Sequence, residues 1–174
     1  MQLNVRLIKS IIILPFNVTI IIPCILLLTT KKYFFACGLE YHWLLIRYFI
    51  GVVLAILSLF VMFSTVRLFT TKGEGTPAPW DPPKKFIVLG PYRYVRNPML
   101  IGVLIFLLSE VVLFGSLSIF IWFVLFLIAN LFYFPFFEEK GLEKRFGESY
   151  LEYKRNVPRW IPRFTPWKGS QISK

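Results

Sequence analysis

The sequence predicts an all-α integral membrane protein of about four transmembrane helices, including a C-terminal helical hairpin, with a cytoplasmic loop and a C-terminal amphipathic helix beside them. Three observations lead there. Of the 174 residues 56% are apolar and the mean hydropathy is +0.65, well above what a water-soluble core of this size can hide. The apolar residues are gathered into runs, and a run of roughly 18 or more with few charges is long enough to cross the hydrocarbon of a bilayer. The formal charge of +11 is carried by Lys and Arg that flank these runs instead of alternating with aromatics along one surface, which argues against nucleic acid as a partner and for topology signals.

The first span is expected from about Ile8 to Thr30, with Pro15 and Pro23 kinking it. A cleavable leader is the competing reading of Ile11 to Leu28, but the run is long for one and lacks a small-residue cleavage site. A second span is expected from about Trp43 to Phe69, and these two helices make up residues 1–70. Thr71 to Pro98 changes character: Gly73, Gly75, Pro77, Pro79, Pro82, Pro83 and Pro91 break helices repeatedly. It reads as a structured loop that opens the second region, residues 71–174. The apolar block Met99 to Phe137 is divided by Gly115-Ser116 into arms of roughly 16 and 20 residues, a hairpin that just spans at about 1.5 Å per residue. From Glu138 the chain is charged and amphipathic. Leu142, Phe146, Tyr150 and Tyr153 fall on one stripe of a single helix that Pro158 ends.

Basic residues are enriched in cytoplasmic loops. With four spans and both ends inside, Lys31, Lys32 and Arg47 are the basic residues outside, leaving 20 − 3 = 17 on the cytoplasmic face. The loop and the C-terminal region then share that face, in a bacterial inner membrane or its equivalent. The two cysteines, Cys24 and Cys37, build neither a disulfide framework nor a metal site. His42, at a span entrance, reads as interfacial, and Glu110, inside an apolar arm, as a functional hypothesis that a polar neighbour can explain equally well.

Two segments carry the chemistry. Gly90-Pro91-Tyr92-Arg93-Tyr94-Val95-Arg96-Asn97-Pro98 packs rigid, aromatic and polar residues at the mouth of the third span, where an interfacial anchor is the plain alternative. Glu138-Glu139 is followed by Phe146-Gly147, Tyr150, Tyr153, Val157-Pro158-Arg159 and Ile161-Pro162, where the plain alternative is a solvated surface helix. Read together, GPYRYVRNPML and EEKGLEKRFGESYLEYKRNVPRWIP resemble the isoprenylcysteine carboxyl methyltransferase and phospholipid methyltransferase superfamily. Its members carry G-x-Y-x-x-x-R-H-P-x-Y before a membrane hairpin, then an acidic pair, F-G-x-x-Y-x-x-Y and V-P. The resemblance covers about Gly75 to Pro162, and Gly73-Glu74-Gly75 is similar to a short glycine signature of the phospholipid enzymes.

The resemblance implies an S-adenosylmethionine-dependent methyltransferase acting on a lipophilic or lipid-linked acceptor, with membrane lipids around it and no metal. It places cofactor contacts on Lys84, Lys85, Phe86, Ile87, Tyr92, Asn97, Pro98, Met99, Leu100 and Glu138, and the neighbouring Arg96 and Glu139 join them as candidates on their chemistry. A flat adenine, hydroxyls, an ammonium and a sulfonium call for such groups: Tyr92 and Phe86 as aromatic walls, Asn97 as donor and acceptor, Glu138 as the anion for the ammonium. Arg93 and Arg96 suit an acidic cofactor or substrate group, or a lipid phosphate. Glu139, if buried, is a candidate proton acceptor for an amine.

This chain departs from the family at Asn97 and Leu100, where the family has His and Tyr. It departs also at Phe134, where prenylcysteine-processing members carry the arginine that holds their substrate. A lipid amine, an isoprenoid-linked carboxylate, a thiol and a small hydrophobic molecule all stay open as acceptors. Methyl transfer from a sulfonium needs alignment and desolvation and no protein nucleophile. Two rivals remain. Membrane sterol reductases share the loop and tail but bind a nicotinamide cofactor and replace the acidic pair with Arg-Asp. A non-enzymatic scaffold explains the spans but not the convergence of a polar loop and an acidic helix.

Overall fold

The computed structural model describes residues 12–30, 41–73 and 84–169, and every element in them is helical. The start of the expected first span, Lys31, Lys32, Cys37, and the loop from Glu74 to Pro83 lie outside the described residues. The chain begins with a widely wound π segment, Ile12–Ile21, that runs into α1 (Ile22–Thr29). Pro15 has no N–H to give to this ladder, and two carbonyls of the segment accept from side chains. Thr19 donates to Pro15 O at 2.6 Å, and the Trp122 indole, from a later helix, donates to Val18 O at 3.1 Å.

Helix α2 (Tyr41–Thr71) has 31 residues, about 46 Å at 1.5 Å per residue and more than a bilayer's hydrocarbon thickness of about 30 Å. It begins and ends within two residues of the span read from hydropathy. The hairpin follows as α3 (Pro98–Phe114) and α4 (Leu117–Tyr133), with Gly115 closing α3 in the left-handed region at φ 60°. The second arm does not stop at the membrane end. A π turn, Phe134–Glu138, carries it into α5 (Glu139–Phe146). Two helices, Tyr41–Thr71 and Leu117–Phe146, are long and apolar enough to cross a membrane, while Pro15–Thr29 and Pro98–Phe114 are apolar but shorter.

Large apolar side chains face outward all along these helices. Phe49 is 72% exposed, Phe60 70% and Phe132 64%, an arrangement that is stable where the surrounding solvent is lipid. What α2 buries is small: Gly51, Ser58 and Thr65, seven residues apart. That stripe lets α3 approach closely. A Cβ on Gly51 would stand 2.5 Å from Leu113 Cδ2 and one on Gly102 2.6 Å from Met62 Cγ, and Ser58 donates to Gly102 O at 2.7 Å.

The single amphipathic helix expected after Glu138 is instead two. Gly147, at φ +55° and ψ −132°, separates α5 from α6 (Glu148–Asn156). The apolar stripe survives the break, because Leu142 and Phe146 pack against a buried cluster of Tyr150, Tyr153 and Val157. The tail then runs back along the Arg93–Arg96 loop: Arg96 N bonds Pro158 O, Arg163 N bonds Tyr94 O and Trp167 N bonds Arg93 O, at 2.9 to 3.0 Å. Loop, α5, α6 and tail together form a polar cap over one end of the helices.

Candidate active site

The sequence Asn97-Pro98 starts α3. Asn97 is its N-cap, accepting from Leu100 N at 3.1 Å, and Pro98 occupies the first turn, where its missing N–H costs nothing. Asn97 Oδ1 is therefore committed to the helix, and its carboxamide NH2 is what it presents as a donor. This narrows the expected dual role of Asn97. Just before it, Gly90–Arg93 forms a 3₁₀ turn that buries Tyr92, stacked on Phe69 of α2 with centroids 5.5 Å apart. Tyr153 fixes this loop from below by donating its hydroxyl to Tyr92 O at 2.7 Å. Burial, followed by the influence of Tyr153 and Glu138, pushes the Tyr92 phenol well above its usual range. Burial does the same to Tyr150 and Tyr153, so all three phenols are neutral.

The acidic pair divides its labour. Glu138 closes the π turn and borders a cavity. Glu139, one residue on, is turned away into a buried ion cluster. Arg159 grips it with both nitrogens, Nε at 2.7 Å and NH2 at 2.8 Å, Arg96 NH1 lies 2.9 Å from Oε1, and Lys154 Nζ lies 3.5 Å from Oε2. The Glu139 hydrogen bond is also what raises the Arg159 pKa. Glu139 is buried, as the expected proton acceptor had to be, but its oxygens already hold two guanidinium groups. It ties the loop, α5, α6 and the tail together instead.

The cavity has a volume of about 500 Å³, inside the range of roughly 300 to 1,000 Å³ that small-molecule sites occupy. Its polar end is made by Lys85, Arg96, Asn97, Glu138 and Arg145, and its aromatic walls by Phe69, Phe86, Tyr92 and Phe146. Phe86 is held edge-on by Tyr150 and Tyr153. Ile87, Met99 and Leu100 complete this part. The other end runs between the membrane helices, past Phe126, Asn130 and Phe134 of the second long helix and Pro15 and Val18 of the first segment. Nine of the twelve residues singled out in the sequence thus share one cavity. Lys84, Pro98 and Glu139 do not line it: Lys84 bonds Gly73 O through its amide, Pro98 is buried in the helix start, and Glu139 is in the ion cluster.

The roles of some residues in this arrangement had escaped the sequence reading. Arg159 is followed by no motif that announces a partner twenty residues away. Phe69 is indistinguishable from other aromatics of α2. Asn130 did leave a signal: a carboxamide inside the run LSIFIWFVLFLIANLFY, where polar side chains are costly and tend to have a task.

Long apolar helices with outward-facing side chains, and a cavity lined by residues of both the cap and the helices, define a membrane-associated protein with a candidate small-molecule site. A family model for phospholipid methyltransferases matches residues 46–149, more than half of the chain. The protein belongs to that family of methyltransferases. The match takes in most of α2, the loop, the hairpin and the acidic pair, and ends just before Tyr150. Comparison with curated proteins gives no match.

Proposed function

We propose that the protein transfers a methyl group from S-adenosylmethionine to a lipophilic acceptor inside this cavity. The observation that carries the reading is the cavity's two-ended lining: charged and aromatic residues of the cap at one end, apolar side chains of the membrane helices at the other. The residues present fit the cofactor. Phe69, Tyr92, Phe86 and Phe146 offer aromatic faces for a purine and for a sulfonium, Asn97 offers a donor, and Glu138 a carboxylate for the ammonium. Bound there, the cofactor supplies an activated methyl group; the chain itself binds, aligns and excludes water.

The same reading puts four spans in the membrane with both termini, the loop and the cap on the cytoplasmic face. The basic-residue asymmetry supports it. A cysteine at Lys168 should react with an impermeant probe from the cytoplasmic face alone; labelling from the opposite face sinks the topology.

Calorimetry on the detergent-purified protein tests the cofactor. S-adenosylmethionine and S-adenosylhomocysteine should bind and NADPH should not. Glu138→Gln should weaken binding of both by about tenfold or more, the effect of removing one member of a partly desolvated charge pair, while Glu148→Gln, on the exposed start of α6, changes nothing. Binding of NADPH alone would overturn the reading in favour of a reductase.

A further inference from the structure

The returning tail turns through Trp160-Ile161-Pro162-Arg163-Phe164, outside the cavity and past the end of the family match. Ile161 is 80% exposed and Phe164 104%, more than any other large apolar side chain among the described residues. The backbone around them is tied down. Arg163 N bonds Tyr94 O and Trp167 N bonds Arg93 O, both at 2.9 Å, and Arg93 Nε donates back to Trp167 O at 2.7 Å. Phe164 lies between these ties and is held outward.

The turn stands at the level where the second arm of the hairpin leaves its apolar run. Trp160 packs on Phe134, the first residue of the π turn, with ring centroids 6.3 Å apart. Around that point Phe132, Tyr133, Phe136 and Phe137 are all exposed, an aromatic belt of the kind that marks a membrane–water boundary. Charge accompanies it. Lys140 Nζ lies 5.8 Å from the Phe136 ring centroid, and after Glu152 the sequence holds Lys154, Arg155, Arg159, Arg163, Lys168 and Lys174 and no acidic residue. Lys154 and Arg159 are taken up by Glu143 and Glu139, whereas Arg163 and Lys168 bracket Phe164.

We infer that the Trp160–Phe164 turn is a docking surface for an anionic bilayer: Ile161 and Phe164 enter the leaflet beside the aromatic belt, and Arg163 and Lys168 meet its headgroups. Apolar insertion and electrostatic attraction add in such a contact. The Trp160–Phe134 contact makes the turn continuous with the outward-facing apolar surface of the helices, so lipid is its nearest neighbour. A second copy paired symmetrically through this turn would set two basic tails against each other. Docking reaches the cavity as well. The tail is bonded to the Arg93–Arg96 loop, and Arg96 and Asn97 line the cavity, so the leaflet that holds the tail steadies that wall. None of this depends on what the cavity binds.

The test uses the full chain with Cys24→Ser and Cys37→Ser, one copy per nanodisc, and a fluorophore on Phe164→Cys. The same label on Glu148→Cys, at the exposed start of α6, is the control. The label at 164 should be quenched by nitroxide-bearing lipid and shielded from acrylamide in the water; the label at 148 should behave the opposite way. Adding phosphatidylglycerol to phosphatidylcholine discs should slow amide exchange at Arg96 and Arg163 about fivefold, the effect of roughly one basic residue at an anionic surface. Lys168→Gln should remove most of that difference. Acrylamide reaching the label at 164 as readily as the label at 148 overturns the docking. So does shielding that appears in detergent as protein concentration rises and is missing in single-copy discs, which gives the surface to a second copy. Exchange that ignores phosphatidylglycerol overturns the headgroup contact and its link to the cavity.

Discussion

The α2–α3 pair and the polar cap are built on opposite principles. Between α2 and α3 the close approach is made at small residues, Gly51, Ser58 and Gly102, and the large side chains of α2 mostly face outward. The cap has a core of its own: Tyr150 and Tyr153 are almost fully buried, and the charges of Glu139, Arg96 and Arg159 are drawn in with them. The physical reason is the solvent each region meets. Lipid tails offer an outward phenylalanine as good an environment as a protein interior does, so helices there gain by close approach and dispersion. Water gives the cap a hydrophobic core of its own and penalises any buried charge left unpaired. The cavity lies where the two meet and is lined by residues of both.

The sharpest way to break this contrast is Arg159→Met. Removing the bidentate partner of the buried Glu139, which Arg96 and Lys154 still hold, should destabilise the cap by about 2 kcal/mol, the loss of hydrogen bonds to a charged group, read as faster proteolysis of the tail, with the α2–α3 pair still protected from hydrogen exchange. Loss of protection in both regions together would show that they are one cooperative unit. Next in size is Gly102→Leu. Overpacking against Met62 should cost about 1–3 kcal/mol, lower the thermal midpoint in detergent, and do so independently of salt; a strong salt dependence would place the damage in the cap.

Alkaline pH sharpens the comparison from another side. Burial raises the phenols of Tyr92, Tyr150 and Tyr153 above their unfolded value, which is about 10. The folded cap therefore keeps protons that the unfolded chain releases. Its stability is whole below about pH 9 and falls beyond about pH 10, by up to about 1.4 kcal/mol per pH unit for each tyrosine. Protease susceptibility of the tail measured from pH 7 to 11 should follow that course and flatten in Tyr153→Phe, and an unaltered slope in that variant would remove Tyr153 from the account. The smallest effect is expected for Asn97→Ala, about 1 kcal/mol from the lost N-cap. Hydrogen exchange should register it at the first turn of α3 and leave the α4–α5 junction as it was.

The long helices were legible because apolar length is a local property. The limits of α2 and the break at Gly115 follow from composition and one glycine, and the start of α3 from Asn97-Pro98. The tail was harder. Leu142, Phe146, Tyr150 and Tyr153 do converge, but around Gly147, whose positive φ ends one helix and begins another; a periodic pattern does not register a break that keeps the stripe on the same side.

The sequence by itself determined that apolar runs of spanning length exist, that basic residues border them, and that a polar loop and an acidic pair stand at their ends. Those are statements about single segments, and hydropathy, periodicity and capping act within a segment. Only the tertiary structure decided what each member of the acidic pair faces. Glu138 meets the cavity and Glu139 meets Arg159, twenty positions away, because a π turn and the returning tail set their directions. It decided as well that Asn130 bonds its own helix, donating to Phe126 O one turn back. A side chain's partners are set by the residues that packing brings around it, and those lie tens of positions apart in the chain.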